Sequence, residues 1–363
     1  MQVEKLEDIC EIASGGTPKR SEDSYWKNGK IPWLKISDIK SKYVDKSEEH
    51  ITQKGLDNSS AKLFKKGTII YTIFATVGEV AILNIDATTN QAIAGLTIKD
   101  SAQINPSYLF YFLKSIKKQM HLLSRGVAQN NINLSVLRQI KVPIPDLNVQ
   151  ERIVNALDQM QNNIKLRQME LSKLDILIKA RFVEMFGDPI CNSKNKSTTK
   201  FINVVKLQRG FDLPIRKRNT QGKIPVYGSN GVLGYHDEFK ASSGIITGRS
   251  GTIGKVYYEN NEFWPLNTAL FSVKTYGNNI IYLKYLVSLF KLERFCNGAG
   301  VPTLNRNDVH KQKIIDIPIK EQNKFASFVQ QVDKSKVVNA SIMKYIISIR
   351  FYLYFKENKE GAR

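Results

Sequence analysis

Apolar residues recur along one helical face through two long stretches of this chain. From Ile153 they return at Leu157, Met160, Ile164, Leu171, Leu174, Ile178 and Met185, largely in steps of four and three. From Phe325 they return at Phe328, Val332, Ile342, Ile346, Ile349 and Leu353. A solitary surface helix of this length has nothing against which to bury such a stripe, so the two helices are expected to pack on each other. Both seams break near the middle, at Arg167 in the first and at Ser335 and Asn339 in the second. In an antiparallel pair the midpoints meet, and these polar residues would form a register-fixing layer; otherwise Arg167 snorkels to solvent. Asn148 and Glu151 have the spacing of a capping box for the first helix, and Gly187 and Pro189 end it.

Elsewhere the period shortens to that of strands. Ile31–Ile36, Thr68–Thr72 and Glu79–Leu83 are β-rich in the first half, as are Ile224–Tyr227, Gly244–Thr247 and Lys255–Tyr258 in the second. A helix follows in each half, from about Pro106 to Leu123 and from about Asn279 to Phe295. Strands segregated from helices predict an α+β fold.

The halves repeat each other's motifs in the same order. Thr76-Val-Gly78 is echoed by Thr252-Ile-Gly254, Asn90-Gln-Ala-Ile by Asn267-Thr-Ala-Leu, and Tyr108-Leu-Phe-Tyr by Tyr282-Leu-Lys-Tyr. Gly126 to Asn133 is echoed by Gly300 to Asn307, and Gln150 by Gln322. A single repeat of this length is domain duplication rather than a solenoid.

With 363 residues, 42% of them hydrophobic, the chain has core enough for two domains. The net charge of +21 favours a polyanionic partner, nucleic acid before a membrane surface, because each phosphate neutralised releases condensed counterions. The three cysteines, Cys10, Cys191 and Cys296, form no disulfide or zinc spacing, which fits a reduced cytoplasm. The polar start after Met1 is not expected to be a signal peptide. The apolar tail YIISIRFYLYF is too short to span a bilayer.

Fragments that look catalytic fail on spacing. Gly248 to Lys255 lacks the P-loop glycine pattern, and Val256 cannot supply a hydroxyl for Mg²⁺. Asn105-Pro-Ser-Tyr108 lacks one proline of the adenine-methyltransferase element and reads as an N-cap followed by proline at the first helical position. The four histidines have no metal-ligand spacing. What remains is loops with base-reading side chains: Lys19 and Arg20; Arg125, Gln129, Asn130 and Asn131; Arg216, Lys217 and Arg218; Arg249 and Lys255; Asn305, Arg306 and Asn307. Arginine suits the O6 and N7 of guanine, and Asn or Gln the N6 and N7 of adenine. Lys19, Lys217 and Lys255 equally suit phosphate contacts.

The ordered set GGTPKR, IPWLKISDI, TVGEVAIL, NQAIAGL, GVAQNNINLSVLRQIKVPIP and ARFVEMFGDP resembles the specificity (S) subunit of type I restriction-modification systems. KIPVYGSNGVLGYHDEF, GIITGRSGTIGKVYY and FWPLNTALFSV resemble its second target-recognition domain. The resemblance implies two pseudo-repeated α/β target-recognition domains, residues 1–147 and 188–319, separated by two long antiparallel helices forming a coiled coil, residues 148–187 and 320–357. Each domain would read one half of a bipartite site in double-stranded DNA. The helices would act as a ruler, since some 36 residues at about 1.5 Å each span roughly 54 Å, more than a duplex turn of about 34 Å.

The resemblance further implies a non-catalytic, cytoplasmic chain without a membrane partner. Two methyltransferase (M) subunits carry the S-adenosylmethionine chemistry on adenine N6, and restriction (R) subunits use ATP and Mg; no cofactor belongs to this chain. Arg249 in the second half aligns with Ile73 in the first, so the two half-sites should differ. Two other readings stay open: a self-sufficient adenine methyltransferase built on Asn105–Tyr108, which would bind S-adenosylmethionine alone, and an assembly scaffold that does not read DNA.

Overall fold

The computed structural model describes residues 2–124, 131–219, 221–298 and 300–360. The chain divides into two compact units, one running to Lys165 and resuming at Met343, the other Leu166–Ile342.

In the first unit a five-stranded sheet has the order Cys10–Ser14, Ile93–Ile98, Ile69–Thr72, Val80–Leu83, Tyr43–Val44. All its pairings are antiparallel except the last. In the second unit Lys206–Arg209, Ala269–Lys274, Ala241–Gly248 and Val256–Pro265 follow the same order, and the hairpin Ile224–Gly228/Gly231–His236 completes six strands. A two-stranded pair flanks each sheet, Gln2–Lys5 with Lys141–Ile144 and Thr198–Lys200 with Lys313–Ile315. This mixture of sheet and helix fits the α+β expectation.

Backbone hydrogen bonds set the equivalence of the two units residue by residue. Gly15 N–H to Ile93 carbonyl is matched by Gly210 to Ala269, Gly16 to Thr89 by Phe211 to Pro265, and Ile73 to Ala92 by Arg249 to Thr268. Gly78 and Gly254 both take left-handed φ, +89° and +92°, as their echo requires. Two echoes shift. Gln91, not Asn90, is the counterpart of Asn267, and Asn133, not Asn131, is the counterpart of Asn305. The sheet register and the shared capping role decide this: Asn133 and Asn305 each accept a first-turn N–H of the helix they open.

The helices after the strands start where expected but break earlier. Asn105 and Asn279 cap Pro106–Ser115 and Ile280–Leu289. In the first unit the chain turns at Ile116 before Lys117–Ser124; in the second, Lys291 takes a left-handed φ of 54° before the 3-10 turn Leu292–Phe295. A buried glutamine ties each helix start to the long helix behind it. Gln150 Oε1 accepts from Asn105 N–H at 2.9 Å, and Gln322 Oε1 accepts from Asn279 N–H at 2.9 Å.

The long helices are Leu147–Phe186 and Ile319–Glu360. The first starts two residues too early for Asn148 to cap it, and the Asp146 carbonyl accepts from Val149 and Gln150 instead. Gly187, at φ +83°, ends it. Within Leu166–Ile342 the two run antiparallel: Phe182 meets Phe325 at 5.3 Å between ring centroids, and Arg167 meets Asn339. The second seam is Phe325, Val329, Val332, Lys336 and Asn339 in steps of four and three. Ser335 is exposed and lies off it, one residue from the true seam position Lys336, and Ile342 is 37% exposed. Phe182, Phe186, Tyr282 and Phe325 close an aromatic core in the second unit, with centroids 5.3–5.8 Å apart across the helices.

Candidate nucleic-acid interface

In the second unit three segments meet at one end of the sheet. The first is the turn between Ala241–Gly248 and Val256–Pro265, which must start with glycine because a Cβ on Gly248 would lie 1.8 Å from the Thr252 carbonyl oxygen. The second is the hairpin tip, where Asn230 Oδ1 accepts from Lys255 Nζ at 2.7 Å. The third is the loop before Asn305, held by Gly251 N–H to Pro302 carbonyl at 3.0 Å and Leu304 N–H to Arg249 carbonyl at 2.8 Å.

Arg249 sits among them half-buried, its Nε donating to the Asn267 carbonyl at 2.8 Å. That bond fixes the stem of the guanidinium. Its Nη atoms meet no hydrogen-bond partner among the described residues. Lys255 is exposed at the same turn.

Two other candidates, Asn305 and Arg218, hold structure. Asn305 caps Arg306–His310 through the Asn307 N–H, so its oxygen and that N–H are engaged with each other. Arg218 donates from Nε and Nη2 to the Leu213 carbonyl at 3.3 Å, leaving Arg216 and Lys217 exposed on the 3-10 turn Ile215–Lys217. Arg306 is half-buried on its short helix.

In the first unit Lys19 and Arg20 are both exposed, and the Arg20 guanidinium is already engaged. The Arg20 guanidinium lies 3.8 Å from the Trp26 ring centroid and 4.5 Å from that of Trp33, and it pairs with Glu49. The Arg20 and Lys35 bonds hold the Glu49 carboxyl below its ordinary pKa. Asn131 precedes Ile132, whose N–H donates to the Ile73 carbonyl at 2.9 Å, just as Leu304 bonds Arg249. Arg125, Gln129 and Asn130 lie outside the described residues.

At the helix pair, Arg167 Nη1 donates to Asn339 Oδ1 at 2.7 Å and to Glu170 at 2.9 Å. Lys336, rather than Ser335, joins this stretch by pairing with Asp175 at 2.7 Å and Asp333 at 3.1 Å. These pairs hold the Lys336 ammonium above its ordinary pKa despite partial burial.

Groups the sequence singled out for chemistry have plainer roles. Asn105 accepts from the Ser107 and Tyr108 N–H groups, and Tyr108 donates its hydroxyl to the Pro143 carbonyl at 2.7 Å. His310 Nε2 accepts from Leu207 N–H at 3.0 Å, and burial depresses its pKa. Among the described residues no group of three His, Cys, Asp or Glu side chains could hold a metal ion, and no helix is long and apolar enough to cross a membrane.

Sequence reasoning missed two exposed side-chain pairs at equivalent places: Thr17 Oγ1 donates to Gln91 Oε1, and Asn267 Nδ2 donates to Asp212 Oδ1. The repeated amide after the second core strand was the available signal, but the linear echo aligned it one residue out of register.

Residues 1–175 and 190–344 match the model of the type I restriction modification DNA specificity domain. The chain is 26% identical to the type I restriction enzyme MjaIX specificity subunit of Methanocaldococcus jannaschii, over 96% of this chain and 90% of that protein. It is 21% identical to the EcoprrI specificity subunit of Escherichia coli, over 90% and 86%. Its fold is similar to the crystal structure of the S subunit from M. genitalium, with a TM-score of 0.57 at 15% identity over 97% and 94% of the two chains. It is also similar to a chain from work on complex assembly and conformational transition of the type I R-M system, at 0.66 and 14% over 98% and 96%.

Proposed function

This chain belongs to the type I restriction-modification DNA specificity family, and we propose from that premise that it is the specificity subunit whose two domains each read one half of a bipartite duplex target. The observation that carries this is one backbone frame used twice with different side chains. Where Arg249 stands in the second domain, with a guanidinium suited to guanine, the first has Ile73, 2% exposed and bonded by the same two backbone contacts. A duplicated reader with unlike contacts suits two unlike half-sites.

In this reading residues 1–147 and 188–319 are the reading domains, and the helices over 148–187 and 320–357 are the spacer, with Arg167 and Asn339 setting its register. Leu166, Met169, Ile176 and Val183 stand 61, 48, 65 and 40% exposed at helical spacing, which supports docking of methyltransferase subunits there. Restriction subunits are further partners, and the complex works on cytoplasmic DNA. Catalysis with S-adenosylmethionine, and with ATP and Mg, belongs to those partners.

Base-resolution mapping of adenine methylation, in cells expressing this chain with its methyltransferase subunit and in cells lacking it, tests the proposal. A split motif that vanishes with the chain is expected. Methylation that is the same in both would refute it.

A further inference from the structure

The structure points to the side-chain amides of Gln91 and Asn267 as adenine-reading groups of the two half-sites. We propose that each is oriented by a neighbour, Thr17 in the first domain and Asp212 in the second. The inference rests on the family function above and names residues that deepen it.

Four backbone hydrogen bonds fix the equivalence. Gly15 to Ile93 and Gly16 to Thr89 in the first domain superpose on Gly210 to Ala269 and Phe211 to Pro265 in the second. The following residue on one segment is Thr17 or Asp212. Two residues before Ile93 or Ala269, on the other segment, comes Gln91 or Asn267. In both domains these two side chains bond to each other across the same gap, at the end of the sheet where Ile73 or Arg249 stands.

A pair that keeps its amide in position while the amide's partner changes from hydroxyl donor to carboxylate acceptor is a poor fold-holding device. Neither pair is buried: Gln91 and Asp212 are exposed, and Thr17 and Asn267 are half-exposed. The backbone around them is already tied by its own bonds. Asn267, moreover, has its carbonyl held by Arg249 Nε at 2.8 Å, which keeps amide and guanidinium side by side.

The donor count fits adenine. A bidentate contact to its major-groove edge needs one amide N–H for N7 and the amide oxygen for the N6 amino group. The Asp212 carboxylate can only accept, so it turns the Asn267 NH₂ toward itself and takes one hydrogen. The other hydrogen and the oxygen remain for the base. The Thr17 hydroxyl occupies one lone pair of Gln91 Oε1, leaving the second lone pair and both N–H groups. An acidic residue facing a polyanion needs compensation, and Arg209 lies 3.7 Å from Asp212.

The test uses the full chain co-expressed with its methyltransferase subunit, read by the same methylation mapping. Gln91→Ala should relax one adenine position in the first half-site, lowering discrimination there by about 10- to 100-fold, and leave the second half-site unchanged. Asn267→Ala should do the converse. Gln91→Glu should move the preference at that position from adenine toward cytosine, because a carboxylate accepts from cytosine N4. No purely structural role gives a base switch. Asp212→Asn should relax the Asn267 position in part by letting the amide flip.

A motif unchanged by the alanine variants, with wild-type melting, would overturn the assignment while leaving the family function standing. Equal loss at both half-sites would also overturn it. A wild-type complex with no split motif would instead sink the reading function itself.

Discussion

The same pair of registered strand positions is filled in opposite ways in the two domains. In the first, Trp33 stands against Thr88; in the second, Val226 stands against Trp264. One large indole and one small side chain serve both the second unit's six-stranded sheet and a four-stranded sheet of the first unit that contains Ile31–Leu34 and Ala87–Thr89, but the tryptophan has changed strands. The fold therefore fixes the volume filling a site, not which strand supplies it.

The polar atoms are less evenly served. Trp33 Nε1 donates to the Gly16 carbonyl at 3.0 Å, whereas Trp264 Nε1 is buried without a partner beside the His236 ring, whose Nδ1 also lacks one. Tyr108 donates to the Pro143 carbonyl, while its counterpart Tyr282 is buried with no partner for its hydroxyl. Burial without a partner drives the Tyr282 hydroxyl pKa up. The second domain thus leaves more buried polar atoms unpaired than the first, where Tyr71 is the one such side chain among the described residues.

The glutamine ties are where the domains should agree. Gln150, fully buried, makes three bonds, to Asn105 N–H, Gln103 carbonyl and Pro145 carbonyl, and Gln322, 1% exposed, makes three of its own. Replacing either with alanine strands those groups and should cost about 3 kcal/mol in a denaturant titration. A loss confined to one domain would break the equivalence.

The tyrosines are where they should part. Tyr108→Phe is expected to cost about 1 kcal/mol, and Tyr282→Phe to be neutral or stabilising, because it removes a hydroxyl that desolvation already penalises. Equal costs in thermal unfolding would show that the Tyr282 hydroxyl finds a partner in solution.

Acid should expose the second domain as well. The fold holds His310 neutral to accept the Leu207 N–H, so its folded pKa lies below the unfolded value of about 6.5. The unfolded state then binds more protons as pH falls below about 6.5, and stability declines until the folded pKa is passed. His310→Gln should flatten that slope in a pH series of melts; an unchanged slope would assign it elsewhere.

The smallest effect separates contact types in DNA binding. Lys19→Ala should weaken binding by a similar factor on all sequences and lower the salt slope by about 1, whereas Arg249→Ala should relax one position of one half-site. Identical behaviour of the two variants, in fluorescence titrations of the assembled complex at several salt concentrations, would merge roles kept apart here.

Much of the frame was legible in the linear chain. Periodicity showed both long helices, β-rich runs marked the core strands, and Asn105 announced the helix it caps. The site was legible only in part. Local spacing places Arg249 and Lys255 at a glycine turn, where the first is half-buried and the second exposed, but it does not show that two tryptophans and Glu49 hold Arg20. Cation-π stacking across distant strands leaves no mark on local spacing. Ser335 was placed on the seam because a stripe interrupted by Lys336 and Asn339 no longer shows its phase.

What the sequence determined by itself was what local geometry sets: duplication, helix and strand periods, most breakers, and a charge that favours a polyanion. The linear echo already matched Gln150 with Gln322 and Ile73 with Arg249, and tertiary structure alone decided the counterparts where that echo slipped. Gln91 answers Asn267, and Asp212 answers Thr17, because hydrogen bonds between segments far apart in sequence set strand register. A one-residue slip in a linear echo costs nothing on paper, but in a sheet it would turn every side chain to the opposite face.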